Sequence, residues 1–336
     1  MGGGARGRIV TPRALLAPDC GSGVGLGHLE RMLALADALR PDLDVAVIVP
    51  EGDAALRQRV IDRGHAAVEA PGRTALRVSA AVGDAPSVHV VVLDGYEFDV
   101  TMQRHIHERA PLTVVDDLRL PTDCDLAVNP SPGGDEMRPD GAAAFLGGAA
   151  YALLRGSLLE ARDLVRTRGR PQRSVLVSTG ATDLDGLGER VSRELLSRDA
   201  TVDVTRVVGP DTHVDTEPGD PREHMLVAPA GLADAFAGAT VYVGAAGTTA
   251  VQAACVGIPS VLIAAVSNQT AQAAALAAAG CAVVTDAGEL ATECLALLDD
   301  PARSEQMAVL GRALVDGRGA ARVAAAVRNL AAARAE

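Results

Sequence analysis

Residues 241–264 have the sequence VYVGAAGTTAVQAACVGIPSVLIA, and this stretch predicts the fold of the chain. A short apolar run, Thr240–Val243, leads into a turn of small residues, and a helical pattern over Thr248–Cys255 follows. Pro259 cannot continue the helix, and a second apolar run, Ser260–Ala264, begins directly after it. A strand, a helix and a strand in this order form a βαβ unit, whose two strands are parallel and buried.

The same alternation continues on both sides of this unit through a chain of 336 residues. Apolar runs broken by Gly, Asp or Pro predict buried strands, and apolar residues at helical spacing predict the helices between them. The further predicted strands are Ala14–Ala17, Val45–Val49, His89–Leu93, Leu112–Val115, Asp125–Val128, Val175–Ser178, Val202–Val208 and Ala282–Val284. The further predicted helices are His28–Leu39, Asp53–Arg63, Val100–Glu108, Leu184–Leu196, Leu232–Phe236, Gln269–Ala279, Glu289–Leu298, Pro301–Val315 and Ala320–Ala333. This alternation is typical of parallel α/β sheets.

We therefore predict an α/β protein with two Rossmann-like, doubly wound domains that face a central cleft. The first domain covers 13–155 and the second begins at 174, because the Arg-rich stretch 156–173 interrupts the strand pattern and predicts a linker. Residues 1–12 are rich in Gly and Arg and have no apolar segment, which predicts a disordered tail rather than a secretory signal. Ligands of such sheets bind at the carboxyl ends of the strands, so we expect the site in the cleft.

The charge of the chain excludes several classes of function. The 31 basic and 43 acidic residues give a net charge of −12, which repels nucleic-acid backbones, so no nucleic-acid partner is expected. Every basic residue is Arg, which excludes a Schiff-base lysine and a P-loop lysine. No apolar run reaches the roughly 20 residues that span a bilayer, so we expect no integral membrane segment. One small phosphate ligand remains compatible with this charge, because helix N-termini bind anions.

The cysteines predict neither a disulfide framework nor a metal centre. Their number is odd, no C-x-x-C pair occurs, and no His lies at ligand spacing from them. Buried thiols in a reducing compartment, the cytoplasm, are the simpler interpretation. The five are Cys20, Cys124, Cys255, Cys281 and Cys294.

A glycine-rich turn precedes the first long helix. Residues 21–27 have the sequence GSGVGLG, and His28 follows in the first turn of the helix. Glycines let a ligand approach the backbone, and the helix N-terminus offers free N–H groups. The spacing differs from the G-x-G-x-x-G dinucleotide fingerprint. Two interpretations stay open: His28 is a general base beside the cleft, or it belongs to a plain glycine turn.

A second turn of small residues, Gly244–Thr249, has the same position between a strand and a helix. Small residues followed by two hydroxyl groups at a helix N-terminus can hold a diphosphate. A tight turn in which a Thr caps the helix is the alternative. Gln252 lies one helical turn further on, where a side chain reaches a ribose.

Polar residues follow four other predicted strands. They occupy Asp94–Tyr96, Asp116–Asp117, Gly180–Asp183 and Ser267–Gln269. At the carboxyl end of a strand such side chains either orient a ligand in the cleft or cap the next segment, and the spacing alone does not separate these roles. No H-E-x-x-H motif, G-x-S-x-G motif or acidic metal pocket is present.

Nine short segments, in this order, resemble the nucleotide-sugar hydrolase of pseudaminic acid biosynthesis and related spore-coat polysaccharide proteins. The chain is more distantly similar to the N-acetylglucosaminyltransferase of peptidoglycan synthesis. The segments, which span about residues 14–280, are GLGHLERMLALA (25–36), LDGY (93–96), VDDL (115–118), DCDLAVN (123–129), GGAAYALLR (147–155), TGATD (179–183), GAAGTTAVQ (244–252), GIP (257–259) and NQ (268–269).

The resemblance implies a GT-B fold, in which the second domain, 174–318, holds the nucleotide and a C-terminal helix, 319–336, returns to the first domain. It implies a nucleotide-sugar substrate, no metal and no other cofactor. In such a hydrolase His28 would be the general base that activates water to cleave the anomeric C–O bond with inversion. The helix N-terminus at Gly247–Thr249 would stabilise the leaving diphosphate, and Tyr96 with other residues would position the substrate.

The site residues that the resemblance assigns fall into two groups beside the catalytic His28. The substrate-binding group is Gly25, Gly27, Arg31, Asp94, Tyr96, Asp117, Tyr151, Asn268 and Gln269, with Tyr96 and Asn268 positioning the sugar and the phosphates. The group that binds nucleotide and phosphate is Gly180, Ala181, Gly247, Thr248, Thr249 and Gln252.

Three departures from the family pattern lie where the substrate would bind. Gln252 replaces the Glu that usually bonds the ribose hydroxyls, which removes a charge-assisted hydrogen bond. Gly95 replaces the His of a D-H-Y segment, and 156–158, with the sequence GSL, replaces an acidic pair and an aromatic residue.

Three functions are therefore compared. The first is hydrolysis of a nucleotide-activated amino or deoxy sugar, which the motif around His28 favours. The second is transfer of the sugar to a small-molecule or glycan acceptor, which the changes at Gly95 and 156–158 favour. The third is nucleotide-sugar binding without catalysis, which Gln252 favours.

Overall fold

The computed structural model describes residues 13–21, 26–72, 78, 88–168, 173–180, 186–209 and 219–333. Within these ranges the chain forms two lobes, each a parallel sheet between layers of helices. The predicted tail over 1–12 lies outside the described residues.

The first lobe contains seven described strands in the order β3-β2-β1-β4-β5-β6-β7, and every neighbouring pair is parallel. These strands are β1 (Arg13–Pro18), β2 (Asp44–Pro50), β3 (Ala66–Ala70), β4 (Val88–Asp94), β5 (Leu112–Val115), β6 (Cys124–Asn129) and β7 (Ala142–Gly147). Its helices are α1 (Gly27–Leu39), α2 (Ala54–Asp62) and α3 (Val100–His107). Asp53 caps α2, since the amide of Leu56 donates to its carboxylate at 3.0 Å.

The second lobe contains six described strands in the order β10-β9-β8-β11-β12-β13, again all parallel. The chain enters it through α4 (Ser157–Arg168). The strands are β8 (Ser174–Ser178), β9 (Asp203–Val208), β10 (Glu223–Val227), β11 (Val241–Ala245), β12 (Ser260–Ile263) and β13 (Ala282–Val284). The helices are α5 (Leu187–Arg198), α6 (Ala233–Gly238), α7 (Thr248–Val256), α8 (Thr270–Ala278), α9 (Leu290–Asp299), α10 (Pro301–Leu314) and α11 (Gly319–Ala333).

Strand order reverses once in each sheet, between β1 and β4 in the first lobe and between β8 and β11 in the second. A crevice opens at the carboxyl ends of the strands at such a reversal. In the first lobe this point is the end of β4 at Asp94, and in the second it is the end of β11 at Ala245. The topology confirms the predicted doubly wound α/β architecture.

Buried apolar residues cover both faces of each sheet. The neighbours Leu15 and Leu16 of β1 point to opposite faces, Leu16 into a core shared with α1 and α11 and Leu15 into a core shared with α3. In the second lobe, Leu176 and Val177 of β8 divide in the same way. Because both faces are covered, the central strands are continuous apolar runs, which explains why the sequence predicts them.

Two helices connect the lobes in ways that bear on the predicted boundaries. The stretch 156–173, predicted as a linker, contains α4, whose Leu158, Ala161 and Val165 are buried in the core of the second lobe. The last described helix, α11, packs on α1 of the first lobe through Val323 and other buried residues. The chain therefore crosses between the lobes twice.

The sequence pattern misses three strands, and all three lie at the edge of a sheet. They are β3, β7 and β10. An edge strand has a neighbour on one side and is only partly covered, so it needs no continuous apolar run. Half or more of the positions in each of these strands are exposed or half-buried.

Two further findings concern membrane-spanning helices and the cysteines. Across the described ranges, no helix is both long enough and apolar enough to cross a bilayer. All five cysteines are buried and none forms a disulfide bond, as the interpretation of buried thiols requires.

Candidate active site

A cavity of about 530 Å³ lies between the two lobes, at the carboxyl ends of both sets of strands. This volume falls within the range of roughly 300–1,000 Å³ that small-molecule sites occupy. We call its two sides the first wall, which comprises His28, Arg31, Tyr96 and Asp117, and the second wall, which comprises Gly247–Thr249, Gln252, Asn268, Gln269 and Gln272.

His28 is held by a buried carboxylate of the first lobe. It lies in the first turn of α1, and its Nδ1 atom is 2.7 Å from Oδ1 of Asp94, at the end of β4. The Asp94 side chain is fully buried, whereas the His28 side chain is 13% exposed and lines the cavity. Asp94 therefore lies behind the wall and contacts the cavity through His28.

Arg31, one helical turn after His28, joins two carboxylates. Its Nε and Nη2 atoms donate to the two oxygens of Asp94 at 3.1 and 2.6 Å, and its Nη1 donates to Asp117 at 3.0 Å. The bidentate geometry is the one that a guanidinium forms best with a carboxylate. Arg31 thereby neutralises part of the negative charge that two neighbouring carboxylates place in this wall.

The hydrogen bonds also determine the tautomer of His28. Nη2 of Arg31 lies 2.8 Å from the same Nδ1 that faces Asp94. An arginine can only donate and a carboxylate can only accept, so Nδ1 cannot bond both groups. Nη2 already donates to Asp94, and we therefore assign the ring proton to Nδ1, donating to Asp94. The Nε2 lone pair then remains for the cavity, and Nε2 has no partner among the described residues.

The charges in this group reinforce one another. Burial alone would raise the pKa of the Asp94 carboxyl, but the charge of Arg31 and the contact with His28 outweigh burial, and the pKa of Asp94 is lowered. Burial alone would lower the pKa of Arg31, but Asp94 and Asp117 outweigh it, and the pKa of Arg31 is raised. Both groups therefore remain charged although both are buried.

Tyr96 completes the first wall. Its hydroxyl donates to Oδ1 of Asp117 at 2.7 Å, and its ring packs edge-on against His28 with centroids 5.1 Å apart. Gly95, where the resembled hydrolases usually have a histidine, has little room for a side chain. A Cβ atom at this position would lie 2.4 Å from Cβ of Asp19, so a side chain does not fit without a shift.

The second wall is built mainly from backbone and neutral groups. α7 begins after Gly247, and no side chain caps this N-terminus. Nε2 of Gln272 donates to the carbonyls of Ala246 and Gly247, at 2.6 and 2.9 Å. These two bonds hold the carbonyl oxygens toward Gln272, which leaves the first N–H groups of α7 for a ligand.

The two walls meet at one polar contact. Nδ2 of Asn268, in the single turn before α8, donates to the Tyr96 hydroxyl at 3.4 Å. Gly27, at the start of α1, also lies close to the second wall, since a Cβ atom there would be 3.6 Å from Oγ1 of Thr248. The two helix N-termini, of α1 and α7, therefore face the same cavity.

The comparisons with known proteins concern the fold. No family model matches the chain, and no curated protein matches it. Solved structures do match: MurG of Acinetobacter baumannii (TM-score 0.63, 16% identity, 95% of this chain and 100% of that one) and the spinosyn forosaminyltransferase SpnP (TM-score 0.64, 18% identity, 96% and 100%). A third is LpCGTa in complex with UDP (TM-score 0.65, 14% identity, 94% and 97%).

The chain has the GT-B fold. The predicted fold class is thus confirmed, and these matches cover nearly the whole chain. At these identities the likeness establishes the GT-B architecture alone. The narrower resemblance to the pseudaminic acid hydrolase is not supported by the matched structures.

Most of the predicted site residues border this one GT-B cleft. Those that line the cavity are Gly27, His28, Arg31, Tyr96, Asp117, Gly180, Gly247, Thr248, Thr249, Gln252, Asn268 and Gln269. Asp94 lies behind them. Gly25 and Ala181 lie outside the described residues. Tyr151 does not line the cavity but packs against the core of the first lobe, so we leave it out of the proposed site.

The sequence reasoning missed several residues that line the cavity. Gln272, on α8, is one, because only its position three residues after Gln269 points to it. Arg59 and Arg155 are two others, which contact Glu30 of the first lobe. Arg59 donates to the carbonyl of Pro229 at 3.2 Å, and Arg155 donates to the carbonyl of Ala230, so both bridge the lobes. Arg155 is the last residue of the segment 147–155, and this segment is the feature of the sequence that could have pointed to it.

Proposed function

We propose that this chain is an enzyme that transfers a sugar from a nucleotide sugar to a hydroxyl or amine of an acceptor, with inversion at the anomeric carbon. One observation carries the proposal: a histidine oriented by a buried carboxylate and the uncapped N-terminus of α7 line the same cavity. A sugar transfer needs a base for the acceptor and a site for the leaving anion, and these two groups can supply them.

His28 is the proposed general base. Its Nε2 takes the proton of the acceptor O–H or N–H as that atom forms its bond to the anomeric carbon. The bond from this carbon to the phosphate oxygen breaks, and its electron pair leaves with the nucleoside diphosphate. Asp94 keeps the imidazole in the productive tautomer and stabilises the imidazolium that forms. The lowered pKa of Asp94 suits this role, because an ionised carboxylate stabilises a developing positive charge.

The second wall is proposed to bind the nucleotide. The N–H groups at Gly247–Thr249 and the positive end of α7 favour the diphosphate and its charge as it leaves. Gln252 lies one turn along α7 and faces the cavity, where it is proposed to bond the ribose. Gly180, at the end of β8, allows close approach of the same ligand, as the family resemblance implies.

Transfer is preferred to hydrolysis because the matched structures include named glycosyltransferases, among them the forosaminyltransferase SpnP. Hydrolysis is the second candidate, and the sequence segments around His28 that resemble the hydrolase support it. In that reaction water takes the place of the acceptor at Nε2. The five cysteines are buried and form no disulfide bond, which fits a reducing compartment, so we propose that the enzyme acts in the cytoplasm.

A product assay separates these candidates. The full chain is incubated with UDP-, CMP-, GDP- and dTDP-sugars in ¹⁸O-labelled water, with and without alcohol, phenol and amine acceptors, and products are identified by mass spectrometry. Nucleotide release that requires an acceptor, together with a glycosylated acceptor, supports transfer. Label in the free sugar without an acceptor establishes hydrolysis instead. Binding of nucleotide sugars without any turnover would identify a binding protein and refute both.

His28→Ala tests the base in whichever reaction is found. We expect kcat to fall by about 10²–10⁴, because a positioned general base contributes an effect of this size. His105→Ala is the matched control, since His105 lies on α3 and contacts Arg109 away from the cavity. Full activity of His28→Ala would refute the mechanism while leaving the reaction class intact.

A further inference from the structure

The hydroxyl of Tyr96 has a fixed polarity. A phenol has one proton, and in this structure the Tyr96 hydroxyl donates it to Oδ1 of Asp117 at 2.7 Å. The carboxylate can only accept, so the direction of this bond cannot reverse while Asp117 is ionised. Burial and the charge of Asp117 raise the pKa of the Tyr96 phenol, which keeps the proton on the phenol.

Asp117 is itself fixed from the other side. Its Oδ2 accepts from Nη1 of Arg31 at 3.0 Å, and the Nε and Nη2 atoms of Arg31 are held by the buried Asp94. Arg31 is only 8% exposed and cannot turn away from this position without removing the positive charge that both carboxylates face. A series of hydrogen bonds therefore links Asp94, Arg31, Asp117 and Tyr96. It fixes the direction in which the Tyr96 hydroxyl donates its proton.

What Tyr96 presents to the second wall is a lone pair. The contact there agrees with this direction, since Nδ2 of Asn268 donates to the Tyr96 oxygen at 3.4 Å. A distance of 3.4 Å is long for such a bond. A ligand with a better-placed donor can therefore replace Asn268 at this position.

We propose that Tyr96 selects nucleotide sugars whose sugar ring directs a hydroxyl or N–H donor at its oxygen, and that it discriminates against sugars with a keto or fluoro group there. The proposal rests on the proposed function and names a substrate class for it. The proposal also implies that Tyr96 does not bind the diphosphate. Ionised phosphate oxygens only accept hydrogen bonds, and the Tyr96 oxygen needs a donor. Tyr96 would then recognise the sugar, while the diphosphate is left to the second wall.

The test uses UDP-glucose, dTDP-glucose and UDP-N-acetylglucosamine, each with its series of deoxyfluoro analogues. Fluorine is close in size to a hydroxyl group but cannot donate a hydrogen bond. Affinities for the full chain are measured by calorimetry. We expect fluorination at one ring position to weaken binding to the wild type about tenfold, the size of one hydrogen bond. In Tyr96→Phe the penalty at that position should disappear while the penalties at other positions remain.

Asp117→Asn provides a sharper test because it inverts the polarity. Arg31 cannot accept, so the amide oxygen must face Arg31 and the amide NH₂ must face Tyr96. Tyr96 then accepts from the amide and directs its proton into the cavity. We expect the parent sugar to bind about tenfold more weakly, and its preference over the fluoro analogue to vanish or reverse. Asp123→Asn is the matched control, because Asp123 pairs with Arg104 and His107 outside the cavity.

The outcomes are distinguishable. If no nucleotide sugar binds to a folded wild type, the proposed function fails and this proposal fails with it. If nucleotide sugars bind but Tyr96→Phe retains the full position-specific penalty, only the present proposal is overturned. Retention of the wild-type preference in a folded Asp117→Asn would overturn it as well. Thermal unfolding checks each variant, and if Asp117→Asn does not fold, Tyr96→Phe decides the question.

Discussion

The first wall of the cavity presents interlocked charged side chains, whereas the second wall presents backbone N–H groups and neutral side chains. Arg31 of the first wall bonds Asp117 and, behind the wall, Asp94. Asp94 in turn bonds His28, and Asp117 bonds Tyr96. In the second wall Gln272 only turns two carbonyl groups aside. The geometry of the first wall therefore depends on each of its side chains, whereas the geometry of the second wall depends mainly on its backbone conformation.

This difference leads to different expectations for mutations. Removing one charge from the first wall leaves a buried partner unpaired, so stability and catalysis should fall together. Removing a side chain from the second wall should weaken ligand binding with a smaller effect on folding. The following predictions test this contrast, from the largest expected effect to the smallest.

Asp94→Asn should produce the largest effect. In either orientation the amide places an NH₂ group against a donor of Arg31, because both oxygens of Asp94 accept from that residue. We expect a loss of about 3–5 kcal/mol in the free energy of unfolding and a fall in kcat of about 10²–10⁴. Chemical denaturation and steady-state kinetics measure the two quantities. A variant with normal stability would show that the first wall is not interdependent.

The pH dependence of the same variant provides a second measurement. The pKa of Asp94 is lowered in the folded state, so its stabilising contribution is complete above the unfolded value of about 4 and is lost as pH falls through the folded value. The difference in unfolding free energy between wild type and Asp94→Asn should therefore shrink below about pH 4. A difference that stays constant down to acid unfolding would contradict this assignment.

Gln272→Ala tests the second wall. Loss of its two hydrogen bonds leaves the carbonyls of Ala246 and Gly247 without these partners and loosens the turn before α7. We expect the Kd for UDP or dTDP, whichever the product assay selects, to rise about tenfold, with the unfolding free energy reduced by about 1–3 kcal/mol. Gln58→Ala is the control, since Gln58 is bonded to Asp62 on an exposed part of α2. Unchanged nucleotide affinity would remove Gln272 from the wall.

Gln252→Glu tests whether the neutral character of the second wall is adapted to its ligand. If Gln252 lies over a ribose, a carboxylate should retain or tighten nucleotide binding, because it accepts from the two hydroxyls more strongly than an amide does. Calorimetry with the same nucleoside diphosphate measures this. A loss of more than about tenfold, roughly 1.4 kcal/mol, would indicate that Gln252 faces a different group.

His107→Gln should have the smallest effect on stability. His107 lies outside both walls of the cavity. Nδ1 of His107 lies 2.8 Å from Asp123, and Nε2 lies 3.0 Å from Asp125. Burial lowers the pKa of His107, but the hydrogen bonds and charges of the two carboxylates outweigh it, and the pKa is raised. His107 should therefore stabilise the fold below its unfolded pKa of about 6.5, and this stabilisation should be lost as pH rises through the folded value.

Thermal unfolding at pH 6 and pH 9 measures this effect. We expect His107→Gln to be destabilised at pH 6 by less than about 1 kcal/mol and to match the wild type at pH 9. Arg104, which shares Asp123 with His107, keeps its charge at both values. The control is His105→Gln on the same helix, since His105 contacts Arg109 rather than a carboxylate. Equal destabilisation at both pH values would indicate packing rather than charge.

The sequence predicts the central part of each sheet and the position of the site, for a definite physical reason. Strands covered on both faces must be apolar throughout, and glycine turns at strand ends mark where a ligand reaches the backbone. His28 and Gly247–Thr249 are accessible to this reasoning because both follow a strand. The edge strands β3, β7 and β10 are not, because partial exposure removes the apolar signal.

The sequence does not show which residues that are far apart along the chain form hydrogen bonds with each other. Arg31 and Asp94 are 63 positions apart, and no pattern within either segment indicates that they pair. Gln272 is one more polar residue on an alanine-rich helix until the fold directs its amide at two carbonyl groups. The resemblance assigns Arg31 to substrate binding, which stays a prediction because Arg31 lines the cavity. What the sequence does not indicate is that its donors hold two carboxylates.

The two crossings of the chain between the lobes lie side by side. Gly319, at the start of α11, is so close to the backbone of Ala152 that a Cβ atom would lie 2.3 Å from its carbonyl oxygen, and Arg322 donates to the carbonyl of Ala150 at 2.8 Å. Both covalent connections between the lobes are therefore packed against each other at one place. A rotation of one lobe about this place would change the distance between His28 and the start of α7 while both connections stay intact.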